Sequence, residues 1–148
     1  MASKISDGTK YVSGSEKDTF NFAKKFARSL KGGKVIGLIG DLGAGKTVFA
    51  KGLASGLGIR QKITSPTFVL MRVYPIKKKD IKNLVHIDAY RLKSTADLEA
   101  IGAEEYMNDP EAIVLIEWAD RVVEIMPKNV TLITIKTDKG EQKRIINI

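Results

Sequence analysis

An α/β domain with a mixed, mainly parallel sheet flanked by helices and closed by hairpins is the fold the sequence predicts. Three observations predict it. Short apolar runs at KVIGLI (34–39), LVHID (84–88) and IVLI (113–116) read as strands buried on both faces, as parallel strands are. Stripes of helical period lie between and before them, the clearest being Phe22, Phe26 and Leu30 with Ala23 and Ala27 alongside. The first run also feeds a glycine-rich octapeptide, GDLGAGKT (40–47), which leads straight into a second helical pattern. The 148 residues are one domain's worth, so residues 1–148 are expected as a single unit, with 1–14 a flexible or edge segment.

Taken in order, Ser15 is a helix N-cap with Asp18 three residues on, and Gly32-Gly33 is the expected stop. Lys34–Ile39 is the first buried strand, and Lys46–Leu57 is the helix after the glycine loop, stopped by Gly58. Ile63–Thr67 is a loop, because Pro66 pushes Ser65 away from helical angles. Phe68–Tyr74 and Leu84–Asp88 form a hairpin around the charged turn Pro75–Lys82. Ser94–Asp97 repeats the capping pattern and opens a helix through Leu98 and Ile101. Ile113–Ile116 follows the Asp109-Pro110 turn, and Val130–Ile135 and Arg144–Ile148 flank a second hairpin turn at Asp138-Lys139-Gly140.

Composition narrows the function classes. There is no cysteine, which excludes disulfides, thiolate metal sites and thiol nucleophiles and fits a reducing cytoplasm. The longest apolar stretch, around Val35–Ile39, is far short of the ~20 residues a membrane span needs. MASKISDGTKYVSGSE has no apolar signal-peptide core, so secretion is not expected. The net charge of +8 is uneven: 16 Lys/Arg against 5 Asp/Glu over residues 1–80, 4 against 10 over 81–126, and 5 against 2 over 127–148. A basic region suited to phosphates or an acidic partner therefore flanks an acidic one suited to a metal or a basic partner, although a solvated surface with uneven lysines gives the same count.

GDLGAGKT satisfies G-x-x-x-x-G-K-[ST], a pattern that about one random chain of this length in two hundred would contain. The strand before it and the helix after it are the context that makes it a phosphate loop. Glycines at 40, 43 and 45 let successive N–H groups turn toward one anion, and the helix adds its positive N-terminal end. Lys46 is expected to reach the β- and γ-phosphates and the Thr47 hydroxyl to ligate Mg²⁺. Two acids follow buried runs, Asp88 and Glu117, where a charge is costly without a partner. Glu117 is expected to complete the Mg²⁺ site and Asp88 to position water, with the reverse assignment open; an N-cap role for Asp88 and an exposed strand end for Glu117 are the plainer alternatives. Thr64, Ser65 and Thr67 form a loop where related NTPases keep a γ-phosphate switch, or a simple turn. Trp118, the only tryptophan, is expected to stack on a base or partner, or to be core. His86, the only histidine, reads as core rather than catalyst, Arg91 as a contact for phosphate or for Glu104 and Glu105, and Lys77-Lys78-Lys79 as a solvated turn.

No N-K-x-D element reads a guanine, and Asp88-Ala89-Tyr90-Arg91 is not the D-x-x-G of GTPases, so ATP is the expected nucleotide. The chain leaves little room for the lid and acceptor pocket of a small-molecule kinase.

GDLGAGKT, SPTF (65–68), HIDAYRL (86–92), DLEAIGAEEY (97–106) and LIEWADR (115–121) together resemble the TsaE family, also called YjeE, from about Ser15 to Ile135. The resemblance implies a bacterial P-loop ATPase serving threonylcarbamoyladenosine modification of tRNAs that read ANN codons. It implies action through the TsaB–TsaD pair, with ATP hydrolysis needed for repeated turnover, while TsaC-type enzymes make the activated intermediate. On this sequence the family's loop falls on Gly43, Ala44, Gly45, Lys46, Thr47 and Val48, its magnesium ligands on Thr47 and Glu117, and its other elements on Asp88, Thr64–Thr67 and Trp118. Glu16 and Thr19 match a region that approaches the nucleotide. Val48 departs from the family's frequent threonine, which removes a side-chain contact but not a backbone N–H. Slow hydrolysis by the isolated chain, expected as a monomer, follows, with tRNA met through the complex. A metabolite kinase and a nucleotide-sensing tRNA-binding module are the alternatives.

Overall fold

The computed structural model describes residues 8–41, 43–64, 70–138 and 143–148. Seven strands form one sheet: β1 Lys10–Ser13, β2 Val35–Ile39, β3 Met71–Pro75, β4 Asn83–Asp88, β5 Ala112–Glu117, β6 Thr131–Thr137 and β7 Arg144–Asn147. Their spatial order is β1-β7-β6-β2-β5-β4-β3. The central strands β6, β2, β5 and β4 pair in parallel, and β3, β7 and β1 add antiparallel edges. Both expected hairpins form, β3–β4 and β6–β7. Phe68 and Val69, expected in the first, and Lys139-Gly140, expected in the turn of the second, lie outside the described residues.

Parallel pairing accounts for the continuous apolar runs. Every residue of β5 is buried, as are five of six in β4, because helices or turns cover both faces. On one face Ile36, Leu38, Leu84, Leu115 and Ile133 meet Phe22, Phe26, Phe49 and Leu53. Those aromatics belong to α1, Glu16–Arg28, and α2, Lys46–Gly56. On the other face Val35, Val85, Ile87, Val114 and Ile116 meet Leu92, Leu98, Ala119 and Val122. The period of two in each strand sorts the chain between these layers.

α1 starts as its capping pattern predicts, with Asp18 N–H donating to Ser15 Oγ at 3.0 Å. It stops at Arg28, short of Gly32-Gly33, where Ser29 Oγ donates back to the Phe26 carbonyl at 2.7 Å. The second capping pattern works differently from expectation. Ser94 makes no side-chain cap, and Asp97 instead accepts from Lys93 N–H at 2.9 Å. The expected single helix there is two, α3 Thr95–Ala100 and α4 Ala103–Met107, broken at Gly102 with φ +78°. Among the described residues no helix is long and apolar enough to cross a membrane.

α1 and α2 touch through backbone. A Cβ at Gly52 would lie 2.3 Å from the Phe20 carbonyl oxygen, and one at Gly56 2.4 Å from that of Lys24. The pairs 20–52 and 24–56 show that the two helices run in the same direction. Both N-termini therefore point toward the end of the sheet where β2 delivers the glycine loop. β4 and β5 end there too, with Asp88 and Glu117 directly opposite each other in register. The carboxyl edge of a parallel sheet, next to the point where strand order reverses around β2, is where such folds hold ligands.

Candidate functional site

The glycine loop is shaped by two residues in left-handed conformations, Gly43 at φ +80° and Gly45 at φ +105°. A side chain at either would be strained, which is why glycine stands there. Ala44 N–H closes a turn onto the Asp41 carbonyl at 3.0 Å, and α2 begins at Lys46 with no side-chain cap on its first N–H groups. Uncapped N–H groups at a helix start are free to receive an anion.

Lys46 is only 6% exposed. Its ammonium donates to the Gly40 carbonyl and, at 2.8 Å, to that of Asp41, and it lies 4.0 Å from the centroid of the Trp118 ring. Burial pushes its pKa below the usual lysine range, and the charges of Glu117, Asp41, Asp120 and Asp88 oppose that shift. Four carboxylates thus share their field with one cation. Trp118 follows the last residue of β5 in a left-handed conformation, φ 59°, the only described non-glycine residue with positive φ. Tyr90 packs on it with ring centroids 4.9 Å apart, and the Arg121 guanidinium lies 5.1 Å from the Tyr90 ring.

One cavity of about 420 Å³ is lined by Gly43, Gly45, Lys46, Thr47, Val48, Asp88, Glu117, Trp118, Glu16, Tyr90 and Arg91. An adjoining one of about 340 Å³ takes in Ser15, Glu16, Thr19, Gly43, Gly45, Val48 and Arg144. The fold therefore gathers the expected residues from four chain segments, and Arg144 joins them from a fifth. Ala44 is buried behind the loop, only 1% exposed. Asp88 combines both of its readings: Oδ1 accepts from Tyr90 N–H at 3.0 Å, a local cap, while the residue lines the larger cavity. Glu117 is buried rather than an exposed strand end, at 3% exposure. Thr64 lines neither cavity, and Ser65 and Thr67 lie outside the described residues. Lys77, Lys78 and Lys79 are an exposed turn.

Two contributors, Arg144 and His86, escape a reading by motif, whereas Thr19 stands where the resemblance puts it. Arg144 of β7 donates from Nε to the Ala44 carbonyl at 3.1 Å and from Nη2 to that of Gly43 at 3.3 Å, holding the loop from a position about 100 residues away. Nothing local marks it; only the β7–β6–β2 order brings it in. Thr19 is held by a 2.7 Å hydrogen bond between its hydroxyl and that of Ser13, which anchors α1 to β1 beneath the smaller cavity. His86 is buried as a core residue would be, at 1% exposure, yet its Nε2 lies 2.6 Å from Glu117 Oε2.

A family model described as "Threonylcarbamoyl adenosine biosynthesis protein TsaE" matches residues 13–146. The chain is 42% identical over 125 residues to the tRNA threonylcarbamoyladenosine biosynthesis protein TsaE of Treponema pallidum (strain Nichols), covering 84% of this chain and 89% of that protein. It is 38% identical over 128 residues to the protein of the same name from Bacillus subtilis (strain 168), covering 86% and 77%. The crystal structure of Bacillus subtilis YdiB superposes with a TM-score of 0.76 at 33% identity, over 97% of this chain and 86% of that one.

Proposed function

Because the chain belongs to the TsaE family, we propose that it serves tRNA threonylcarbamoyladenosine biosynthesis as a magnesium-dependent ATPase acting through the TsaB–TsaD complex. The observation that carries the ATPase reading is the shared cavity. A glycine loop, an uncapped helix start, a lysine, a hydroxyl and two strand-end carboxylates face one space large enough for a polyphosphate. The backbone N–H groups from Gly43 to Val48 suit phosphate oxygens, with the Lys46 ammonium as the cation beside them. Glu16 and Val48 line both cavities, which makes the smaller one the natural seat of the nucleoside.

The donor set fits magnesium. Thr47 offers a hydroxyl oxygen and Glu117 a carboxylate oxygen, the hard donors that ion takes. Among the described residues no group of three or more His, Cys, Asp or Glu could hold a metal. Magnesium in nucleotide sites needs no such cage, because it shares its shell with phosphates and water. When bound, the ion offsets phosphate charge and makes a coordinated water more acidic. Asp88, fixed by its bond from Tyr90 N–H, is the residue of this chain that would orient the attacking water. That water adds to the γ-phosphorus, the bond to the β–γ bridging oxygen breaks, and ADP and phosphate leave. Trp118 and Tyr90 shield Lys46 from solvent on the open side. The thiol-free composition supports a cytoplasmic setting.

ATP turnover by the purified chain tests this, alone and with cognate TsaB–TsaD and tRNA. We expect slow turnover alone, a rise with the complex, and loss in both Lys46→Ala and Glu117→Ala. Turnover that ignores the complex would refute the partner role, and turnover that survives Lys46→Ala would refute the site.

A further inference from the structure

The His86–Glu117 pair has a chemistry that its burial alone does not require. His86 projects from β4 on the same face as Leu84 and Asp88, and Glu117 from the end of β5 on the face of Ile113 and Leu115. Both therefore face the layer of α1 and α2. The 2.6 Å contact between Nε2 and Oε2 is the hydrogen bond that the Glu117 carboxylate makes among the described residues. Lys46 supplies charge to that carboxylate, while two of its three donors go to the Gly40 and Asp41 carbonyls. The other ring nitrogen of His86, Nδ1, is buried with no hydrogen-bond partner. A proton on Nδ1 alone would set two lone pairs against each other across the contact with the Glu117 carboxylate, so Nε2 is the nitrogen that donates to Oε2.

We infer that His86, donating from Nε2, is a positioning residue that occupies Oε2 of Glu117 and so presents Oε1 alone to the nucleotide-bound metal. The inference rests on the magnesium role of Glu117 given above. A buried carboxylate otherwise has freedom to turn either oxygen, or both, toward a cation. Metal-ligating carboxylates are commonly held by a second hydrogen bond for this reason, and losing such a partner costs about 10–100-fold in metal affinity or activity. The neighbouring residue Asp88, directly across from Glu117 in register, accepts a hydrogen bond from Tyr90 N–H.

The chain has one histidine, so a ¹⁵N spectrum of its imidazole is unambiguous. In the wild-type protein we expect the Nε2 signal to be that of a protonated, hydrogen-bonded nitrogen. Binding is then measured with ADP in EDTA and with Mn²⁺ as the metal probe, followed by its paramagnetic resonance in the presence of ADP. His86→Leu should keep ADP affinity in EDTA within about twofold while Mn²⁺ affinity falls about tenfold or more. His86→Gln, which returns an N–H near the Nε2 position, should recover most of that loss. A bare Nε2, unchanged Mn²⁺ affinity in His86→Leu, or equal losses with and without metal would each overturn the inference. Should His86→Leu not fold, the Nε2 signal and the Gln variant decide it. A wild-type protein that binds no ADP would remove the nucleotide reading, and this inference with it, whatever the spectrum shows.

Discussion

Replacing Gly52 by alanine tests how tightly the site's two helices are joined. The new Cβ would meet the Phe20 carbonyl oxygen at 2.3 Å, the Ala23 Cβ at 2.9 Å and the Phe20 carbonyl carbon at 3.0 Å. Two of these three are backbone atoms and the third is a Cβ, so no side-chain rotation relieves the contact. Ordinary contact distance is restored only if α1 retreats by about an ångström, against a packed layer of Phe22, Phe26 and Phe49. Overpacking of this kind costs about 1–3 kcal/mol. Alanine returns about 1 kcal/mol of helix propensity over glycine, leaving a net loss of between zero and about 2 kcal/mol. Equilibrium unfolding in urea measures it as a lower midpoint at unchanged slope. Gly14→Ala, where nothing lies within 4 Å of the added Cβ, is the control and should stay within about 0.5 kcal/mol. Because α1 carries Glu16 and Thr19 beside the loop, Gly52→Ala should also weaken nucleotide binding. A Gly52→Ala protein about 1 kcal/mol more stable than wild type, as an unconstrained helix position would be, refutes the reasoning.

Lys46 makes a pH-dependent case. Burial holds its pKa below the ordinary value, so between the two values the unfolded chain binds more protons and stability rises with pH. Lys46→Met should therefore gain most over wild type below that window and lose its advantage as pH climbs to the ordinary lysine range; a pH-independent difference in urea midpoints would contradict this. At position 118 the left-handed backbone favours glycine over alanine, so Trp118→Gly should be about 1 kcal/mol more stable than Trp118→Ala, although both lose the same ring. Equal stabilities in thermal unfolding would mean the turn relaxes. Arg144→Ala removes two hydrogen bonds to loop carbonyls and should weaken ADP binding about tenfold with the circular dichroism spectrum preserved. Unchanged affinity would show that the loop holds its shape without that clamp.

The parts legible in the sequence were those with short-range causes. Apolar runs marked β2, β4 and β5 because burial on both faces leaves no polar alternation to disguise them. Ser15 announced α1 because a cap is a three-residue interaction. The glycine loop was readable since its positive angles demand the residue type. Asp88 and Glu117 could be nominated as strand-end acids, yet their direct opposition depends on β4 and β5 pairing in parallel, which a sequence states only indirectly. Arg144 was invisible: its partners are carbonyls, which leave no signature, and they lie a whole domain away in sequence. His86 reads as core and is buried as such, but its contact with Glu117 depends on how β4 and β5 pair and leaves no mark in the sequence. The split of α3 from α4 turned on Gly102, whose break was hidden inside a continuous helical pattern.

The most direct test of the central claim is equilibrium binding of ADP and ATP to the purified chain, with Mg²⁺ and with EDTA, in wild type, Lys46→Ala and Glu117→Ala. Removing the Lys46 charge should weaken binding about 10- to 150-fold under both conditions, as loss of a charged hydrogen-bond donor does. Glu117→Ala should abolish only the advantage that Mg²⁺ confers. Nucleotide binding that is indifferent to Lys46, or a Mg²⁺ advantage that persists without Glu117, would contradict the account of this cavity as the nucleotide site.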